Sequence, residues 1–168
     1  MALIQHTNPL VFNQHAWTGN NNWTIVQGGE CTSTNTVDWI TKYLDIYYWG
    51  FNIPAQATLT GIKFDIDMKS TDPGNCVDWS VKIDYGQAVY GTEHNHGSGI
   101  PLTYTTISYG GDGDDWGAGL TIDNLNFIGF GIAVAINGLA NVAVYVKNPK
   151  LTIYYTVPTS ILPQYYAA

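Results

Sequence analysis

The sequence predicts an all-β fold, an antiparallel β-sandwich of jelly-roll type with extended N- and C-terminal arms. The chain has 168 residues, the size of one domain. It contains 18 Gly, 12 Tyr and 6 Trp, which are frequent in turns and strands, but no Arg and only two Glu, which favour helices. Several segments alternate apolar and polar residues with period two, and none shows a convincing helical period.

The N-terminal part begins with residues 1–20, which we expect to form an irregular arm. A short strand at 23–26 follows, then a glycine turn and a polar loop at 31–36. Residues 37–51 are apolar in both alternating sets, and a strand of this kind is normally covered on both faces.

Two segments in the middle of the chain have the cleanest strand pattern. Apolar residues alternate with Lys and Asp along 61–69, and the same period is found along 77–85. A turn that contains Pro73 and Gly74 separates the two segments. We therefore expect 61–69 to have one solvent-facing side and to pair with 77–85 as its antiparallel neighbour.

The second half of the chain alternates loops and strands. A polar loop at 91–101 precedes a strand at 102–109. A Gly- and Asp-rich loop at 110–117 comes before a strand at 128–136, which ends at an Asn-Gly turn. The second face of 128–136 carries only Gly and Ala, so another layer can approach it closely.

The last strand, 142–157, changes the parity of its apolar residues across 147–149. A one-residue slip of this kind predicts a β-bulge or bend. In total we count eight or nine strands. The sandwich domain is therefore predicted at residues 21–157, between the N-terminal arm and a C-terminal arm at 158–168.

The charge composition excludes two classes of partner. The formal net charge is −7, from 6 Lys and 13 acidic residues. Nucleic acids and anionic membrane surfaces are bound mainly by clusters of Arg and Lys, so we expect neither nucleic acid nor a membrane as a partner. The longest apolar run, 127–136, is about half as long as a membrane-spanning helix. The first residues lack the basic start and apolar core of a signal peptide, and we expect none.

No metal or other cofactor is predicted, although one loop is a candidate. Asp112, Asp114 and Asp115 could surround a calcium ion, but Gly and Asp are also usual in any tight loop before a strand. Cys31 and Cys76 either pair or remain two free thiols, and neither belongs to a Cys-x-x-Cys unit.

No enzyme is predicted, and we assign no catalytic residues. Asp65 and Asp67 face the same side of a strand at a separation that suits glycoside hydrolysis, but any acidic sheet face offers such pairs. The Gly-x-Ser-x-Gly motif of serine hydrolases is absent from the sequence, and Ser98 lies near His96 only because both belong to one polar loop.

The tryptophans allow two interpretations. The rings of Trp17, Trp23 and Trp116 could stack on sugars, because an aromatic face binds the apolar face of a sugar ring. The alternative is that such large side chains fill the core of the sandwich or an interface between copies.

Several segments, in order along the chain, together resemble a domain of tailed-phage structural proteins. They are Phe-Asn-Ile-Pro-Ala-Gln-Ala-Thr-Leu-Thr-Gly-Ile-Lys at 51–63, Val-Asp-Trp-Ser-Val-Lys-Ile at 77–83, the loop 110–121, Asn-Phe-Ile-Gly-Phe-Gly-Ile-Ala-Val at 126–134 and Leu-Thr-Ile-Tyr-Tyr at 151–155. The resemblance implies a jelly-roll sandwich in a virion component of the tail, baseplate, fibre or head decoration. It implies no catalytic residues, and it favours a structural role for the Asp112–Asp115 loop.

These observations lead to a first hypothesis, a phage capsid decoration (cement) protein located in the virion. We expect its partners to be the major capsid protein and neighbouring copies of itself, as a homotrimer. Apolar residues of the two arms would form the interfaces. The candidates are Leu3, Ile4, Leu10, Val11, Phe12, Ile161, Leu162, Tyr165 and Tyr166. The alternative is a tail, baseplate or fibre component that acts as a carbohydrate-binding or host-receptor module.

Overall fold

The structure is a computed structural model that describes residues 2–7, 9, 11–15, 21–34 and 40–158. These residues form eleven strands and one short helix. The elements are β1 (Ala2–Thr7), β2 (Val11–His15), β3 (Trp23–Thr24), β4 (Cys31–Thr34), β5 (Tyr43–Tyr47), β6 (Thr58–Ser70), β7 (Cys76–Tyr85), β8 (Val89–Tyr90), β9 (Thr105–Asp112), α1 (Ile122–Asn126), β10 (Phe130–Gly138) and β11 (Ala143–Thr156).

The strands form two antiparallel sheets. In the first sheet the order is β3-β4-β11-β6-β9, with β1 also paired to β11, and in the second it is β2-β5-β10-β7-β8. Taking β4 to β11 alone, the two sheets have the orders β4-β11-β6-β9 and β5-β10-β7-β8. This arrangement of eight strands in two Greek keys is the jelly roll, so the predicted fold class is confirmed.

The N-terminal segment differs from the irregular arm that the sequence predicts. β1 pairs with the second half of β11, with Ala2 opposite Thr156, while β4 pairs with the first half. β2 pairs along β5, with Val11 opposite Tyr47. Each sheet thus gains a strand from the segment, because the backbone of an edge strand offers unpaired hydrogen-bonding groups.

The expected pairing of 61–69 with 77–85 is wrong. Both segments are strands, but β6 pairs with β11 and β9 in the first sheet, whereas β7 pairs with β10 and β8 in the second. The turn between them carries the chain from one sheet to the other. Alternation shows only that each strand has one apolar face, and two strands on opposite sides of a core satisfy it as well as two neighbours do.

The core lies between the two sheets, which both supply their apolar faces to it. Its largest fully buried side chains are Trp116, Tyr109, Phe64, Phe130, Leu44, Ile46, Ile53, Ile62, Ile66, Met68 and Ile83. Within β11 the register against β6 shifts between Lys147 and Lys150, and Asn148 has a φ of 50°. The bulge predicted across 147–149 is therefore confirmed.

Helix α1 lies between β9 and β10. Thr121 and Asn124 form a capping box at its start, and Ile122 and Leu125 are buried. Five residues are too few to produce a helical period in the sequence, which is why the pattern does not predict this helix.

Candidate functional site

The outer face of the second sheet carries an unusual set of buried polar side chains. Leu44, Ile46, Val81 and Ile83 point into the core, so the residues that alternate with them face outward. We call this surface the carboxylate face. It consists of His15, Tyr43, Asp45, Tyr47, Ser80, Lys82 and Asp84.

The floor of the carboxylate face is made of small residues. Gly131, Ala133 and Ala135 of β10 lie between β5 and β7, as the small second face predicted from sequence requires. A Cβ at Gly131 would lie 2.5 Å from the Ile46 carbonyl oxygen and 2.7 Å from the Tyr47 Cβ. Glycine is needed at this position because the neighbouring strand leaves no room for a side chain.

Asp45 and His15 form the most buried ion pair of the carboxylate face. The Nδ1 atom of His15 lies 2.7 Å from Asp45 Oδ2, and the His15 ring stacks on Tyr43 at a centroid distance of 5.3 Å. Asp45 is 0 % exposed. Burial raises the pKa of its carboxyl above the usual range, and the hydrogen bond from His15 opposes this shift.

Asp84 is the second buried carboxyl and is 2 % exposed. Burial, followed by the nearby charge of Asp45, raises the pKa of Asp84 to about 7. The Oδ1 atoms of Asp45 and Asp84 are both buried, and neither has a hydrogen-bond partner in the part of the chain that the structure describes. Unpartnered buried oxygens are rare in folded proteins, so these two call for an explanation.

A chain of hydrogen bonds fixes the side chains at the Ser80 end of the carboxylate face. Tyr43 Oη donates to Ser80 Oγ at 2.8 Å, and Ser80 Oγ donates to Glu93 Oε2 at 2.7 Å. Glu93 Oε1 accepts from the backbone N–H of Val81 at 2.5 Å and of His94 at 3.1 Å. These side chains are therefore held in place before any ligand arrives.

Trp79 lies at the edge of the carboxylate face and is exposed. The register of β7 against β10 shifts between Ala135 and Ile136, which leaves Trp79 without an opposite residue, and its side chain is 44 % exposed. Trp79 is therefore next to Ser80, at the end of the carboxylate face that is farther from Asp84. Tyr47 and Lys82 are half-buried within the face, Tyr47 opposite Gly131 and Lys82 opposite Ala133.

The predicted sugar-stacking residues do not present open rings. Trp23 and Trp116 are 4 % and 0 % exposed, and their indole N–H groups donate to the carbonyl oxygens of Lys42 and Ile62. The His94 ring also stacks on Trp116 at a centroid distance of 4.0 Å. Both tryptophans therefore follow the alternative interpretation and fill the core. Trp17 lies outside the described residues.

The aspartates of the 110–117 loop hold the loop itself. Asp114 accepts from the Trp116 backbone N–H at 2.9 Å and lies 2.8 Å from His94 Nε2, and Asp115 accepts from the Gly117 N–H at 3.0 Å. Asp112 accepts from Thr60. Within the described residues there is no group of three His, Cys, Asp or Glu side chains that could hold a metal.

Some of the predicted interface residues belong to strands of the sandwich, and the others lie outside the described residues. Leu3 and Ile4 stand on β1 opposite Tyr155 and Tyr154, Val11 is half-buried in β2, and Phe12 is buried in the core of its own chain. The other candidates lie outside the described residues, namely Leu10, Ile161, Leu162, Tyr165 and Tyr166.

Both cysteines are free and buried. Cys31 belongs to the first sheet and Cys76 to the second. Burial raises the pKa of Cys31 and raises that of Cys76 to about 12, so both thiols are protonated and unreactive at neutral pH.

The sequence pattern contains a weak signal for the carboxylate face. Asp45 is an acidic residue within an otherwise apolar and aromatic segment, and such a residue is buried when both faces of its strand are covered. Asp84 shows no comparable signal, since it continues the regular polar alternation of 77–85. Trp79 is missed because only the pairing with β10 creates the bulge.

Comparisons with known proteins assign no family to this chain. The sequence matches no protein-family model and no curated protein. A Stig cyclase, Fisc, from Fischerella sp. TAU is 12 % identical, with 90 % of this chain and 74 % of that chain covered and a TM-score of 0.45. At this level the match assigns neither family nor function.

Two structures from Clostridium thermocellum are similar at the same low level. The CBM22-1–GH10 modules of xylanase 10B, complexed with xylohexaose, are 12 % identical, with 96 % of this chain and 28 % of that chain covered and a TM-score of 0.43. The family 11 carbohydrate-binding module of Lic26A-Cel5E is 15 % identical, with coverages of 89 % and 86 % and a TM-score of 0.38. In the described part of this chain, no helix has the length and apolarity to cross a membrane.

Proposed function

We propose that the protein is a non-catalytic carbohydrate-binding module that holds a glycan on the carboxylate face. The observation that carries this proposal is the exposed Trp79 at one end of the face that holds two buried carboxyls, Asp45 and Asp84, each with an unpartnered oxygen. A sugar offers an apolar ring face and a set of hydroxyl donors, and these two features are complementary to an aromatic ring and to carboxylate oxygens.

Each part of the face has a role in this proposal. Trp79 supplies a stacking surface at the Ser80 end, and the half-buried Tyr47 supplies a second aromatic side chain at the Asp84 end. Asp45 and Asp84 accept hydrogen bonds from the ligand. The Tyr43–Ser80–Glu93 chain keeps the sheet end rigid, which lowers the entropy lost on binding.

One further observation favours binding over catalysis. Ser80 Oγ is engaged by Tyr43 and Glu93, whereas His15 is paired with Asp45, so the serine and the histidine are not joined as nucleophile and base. Incubation with a bound glycan should leave the glycan intact, and release of shorter products that stops in Asp84→Asn would replace this proposal with a hydrolase.

A glycan array probed with the wild-type chain tests the proposal. Binding should be saturable, and Trp79→Ala should weaken it by about tenfold or more, in line with the loss of one stacked ring. Tyr104→Ala is the matched control. Tyr104 is a surface aromatic that contacts Lys69 and Lys147 on the outer face of the first sheet. Equal effects of the two substitutions, or no binding to any glycan, would contradict the proposal.

The capsid-decoration hypothesis stays a prediction. It depends largely on arm residues outside the described part of the chain, and it is tested by the copy number in purified virions. A number commensurate with the capsid lattice supports decoration, while a few copies on the tail support a host-receptor module built on the carboxylate face.

A further inference from the structure

We infer that the glycan bound on the carboxylate face carries protonated amino groups, which makes the ligand an oligomeric amino sugar. This inference rests on the proposed function and narrows its substrate class. It follows from the unpartnered oxygens of Asp45 and Asp84, from the charges around them and from their separation across the sheet.

Asp45 and Asp84 each have a carboxyl oxygen that lacks a hydrogen-bond donor among the described residues. Asp45 Oδ1 and Asp84 Oδ1 are buried, and within the described residues nothing donates a hydrogen bond to them. A hydroxyl can donate one hydrogen bond, whereas an ammonium group donates three and carries a positive charge. Hydrogen bonds between charged partners are roughly twice as strong as neutral ones, so an ammonium group fits these oxygens better than a hydroxyl does.

The charged side chains around Asp45 and Asp84 limit the kind of glycan that the site accepts. His15 pairs with Asp45 through the other carboxyl oxygen, and Glu93 adds a third acidic group at the Ser80 end. Lys82 lies on the same face, but it forms no ion pair within 4.0 Å with Asp45 or Asp84 among the described side chains. Acidic groups therefore outnumber cationic ones, which disfavours glycans that carry carboxylate or sulfate groups.

A metal ion fits the same oxygens less well. Calcium takes six to eight oxygen ligands, and a site for it needs several carboxylates or carbonyls that converge on one point. No three His, Cys, Asp or Glu side chains in the described part of the chain converge in this way. An ammonium group needs only hydrogen-bond acceptors, so two separate carboxyls are sufficient for it.

The separation of the two carboxyls indicates an oligomer. Asp45 lies opposite Ala133 and Asp84 lies opposite Gly131, so β10 stands between them. Two strand spacings, combined with the offset of two residues along β10, amount to about 12 Å between the two backbones, which is too far for one ammonium group to contact both carboxyls at once. A sugar chain with an amino group on every unit can supply one cation to each. Tyr47 lies in the row of Asp84 and Lys82 in the row of Asp45, and both half-buried side chains can change rotamer to admit it.

Three matched hexasaccharides test the inference by isothermal titration calorimetry at pH 6. All are β-1,4-linked and differ only at carbon 2, which carries an ammonium group in the glucosamine hexamer, an acetamido group in the N-acetylglucosamine hexamer and a hydroxyl in the glucose hexamer. We expect the glucosamine hexamer to bind the wild-type chain at least tenfold more tightly than the other two. Because the cation favours the ionised form of Asp84, binding should also release a proton, detected by repeating the titration in two buffers of different ionisation enthalpy.

Asp84→Asn and Asp45→Asn should each reduce the tenfold preference to within about threefold, and Asp84→Asn should abolish the proton release. Asp65→Asn is the control, because Asp65 lies on the opposite outer face, and it should preserve both. Circular dichroism establishes that each variant is folded, and having two variants keeps the test decisive if one is not. Equal affinities for the three hexamers overturn the inference and leave the proposed function intact. The absence of binding to these hexamers and to the whole glycan array overturns the proposed function itself.

Discussion

On the outer face of the first sheet, Asp65 and Asp67 are half-buried and accept hydrogen bonds from Ser108, Thr106 and Asn148, whereas on the outer face of the second sheet Asp45 and Asp84 are buried with an unpartnered oxygen each. The pKa of Asp67 is lowered by hydrogen bonds from Thr106 and Asn148, while the pKa of Asp84 is raised to about 7 by burial. The pKa of an aspartate is thus lowered on one sheet of the sandwich and raised on the other. Stability alone explains the first face but leaves the second unexplained, which is why the second is the candidate site.

The largest predicted change in the free energy of unfolding is that of Asp84→Asn. A carboxyl whose pKa is near 7 in the folded chain and near its ordinary value in the unfolded chain binds more protons when folded, so its contribution to stability falls as the pH rises from about 4 to 7. The side chain does not titrate in Asp84→Asn, so this fall in stability with rising pH disappears. The variant should gain roughly 2–4 kcal/mol in the free energy of unfolding at pH 8 and little at pH 4.

Urea denaturation at both pH values measures this gain. Asp65→Asn is the control on the opposite face and should change stability by less than about 1 kcal/mol at either pH. A loss of stability at pH 8 in Asp84→Asn would show that Asp84 is paired in the folded chain and would remove the contrast between the two faces.

The second effect compares one ion pair from each face. His15→Ala leaves the buried Asp45 carboxyl without its partner at 2.7 Å, and the expected loss is about 3 kcal/mol at pH 7, shrinking as the pH falls through the raised pKa of Asp45. Lys63→Ala breaks a pair of similar length, 2.8 Å to Asp65, but that pair is partly exposed. Its loss should stay below about 1 kcal/mol. Thermal unfolding of the two variants checks the difference, and equal losses would contradict it.

The first face could be predicted from the sequence, whereas for the second the sequence offers only the small Gly and Ala floor and a weak signal at Asp45. Alternation of Lys63, Asp65, Asp67 and Lys69 with apolar residues predicts one solvent-facing side of a strand, and the structure places these residues there. The reason is that period two is a local property, which a single strand already shows.

The second face depends on contacts between distant segments. Asp84 follows the same polar alternation as Asp65, and its burial results from neighbours on β5 and β10 that lie far away in the chain. For the same reason the pairing of β6 with β7 is predicted wrongly, because alternation does not name the partner strand. Trp79 becomes exposed through a register shift against β10, which no local pattern contains.

The smallest predicted change in stability concerns the hydrogen bond to Asp67 on the outer face of the first sheet. Thr106 Oγ donates to Asp67 Oδ1 at 2.6 Å, and this bond is the first cause of the lowered pKa of Asp67. A lowered pKa stabilises the fold above the ordinary pKa of Asp, and this contribution is lost as the pH falls through the folded value. Thr106→Val should therefore cost about 0.5 kcal/mol at pH 7 and nothing near pH 2, and it should raise the pKa of Asp67 in an NMR titration. Thr105→Val on the same strand is the control, since the Thr105 hydroxyl donates to the Thr103 carbonyl oxygen and not to a carboxylate. If both variants change the pH dependence of stability equally, the hydrogen bond to Asp67 does not set its titration, and the two faces differ only in burial.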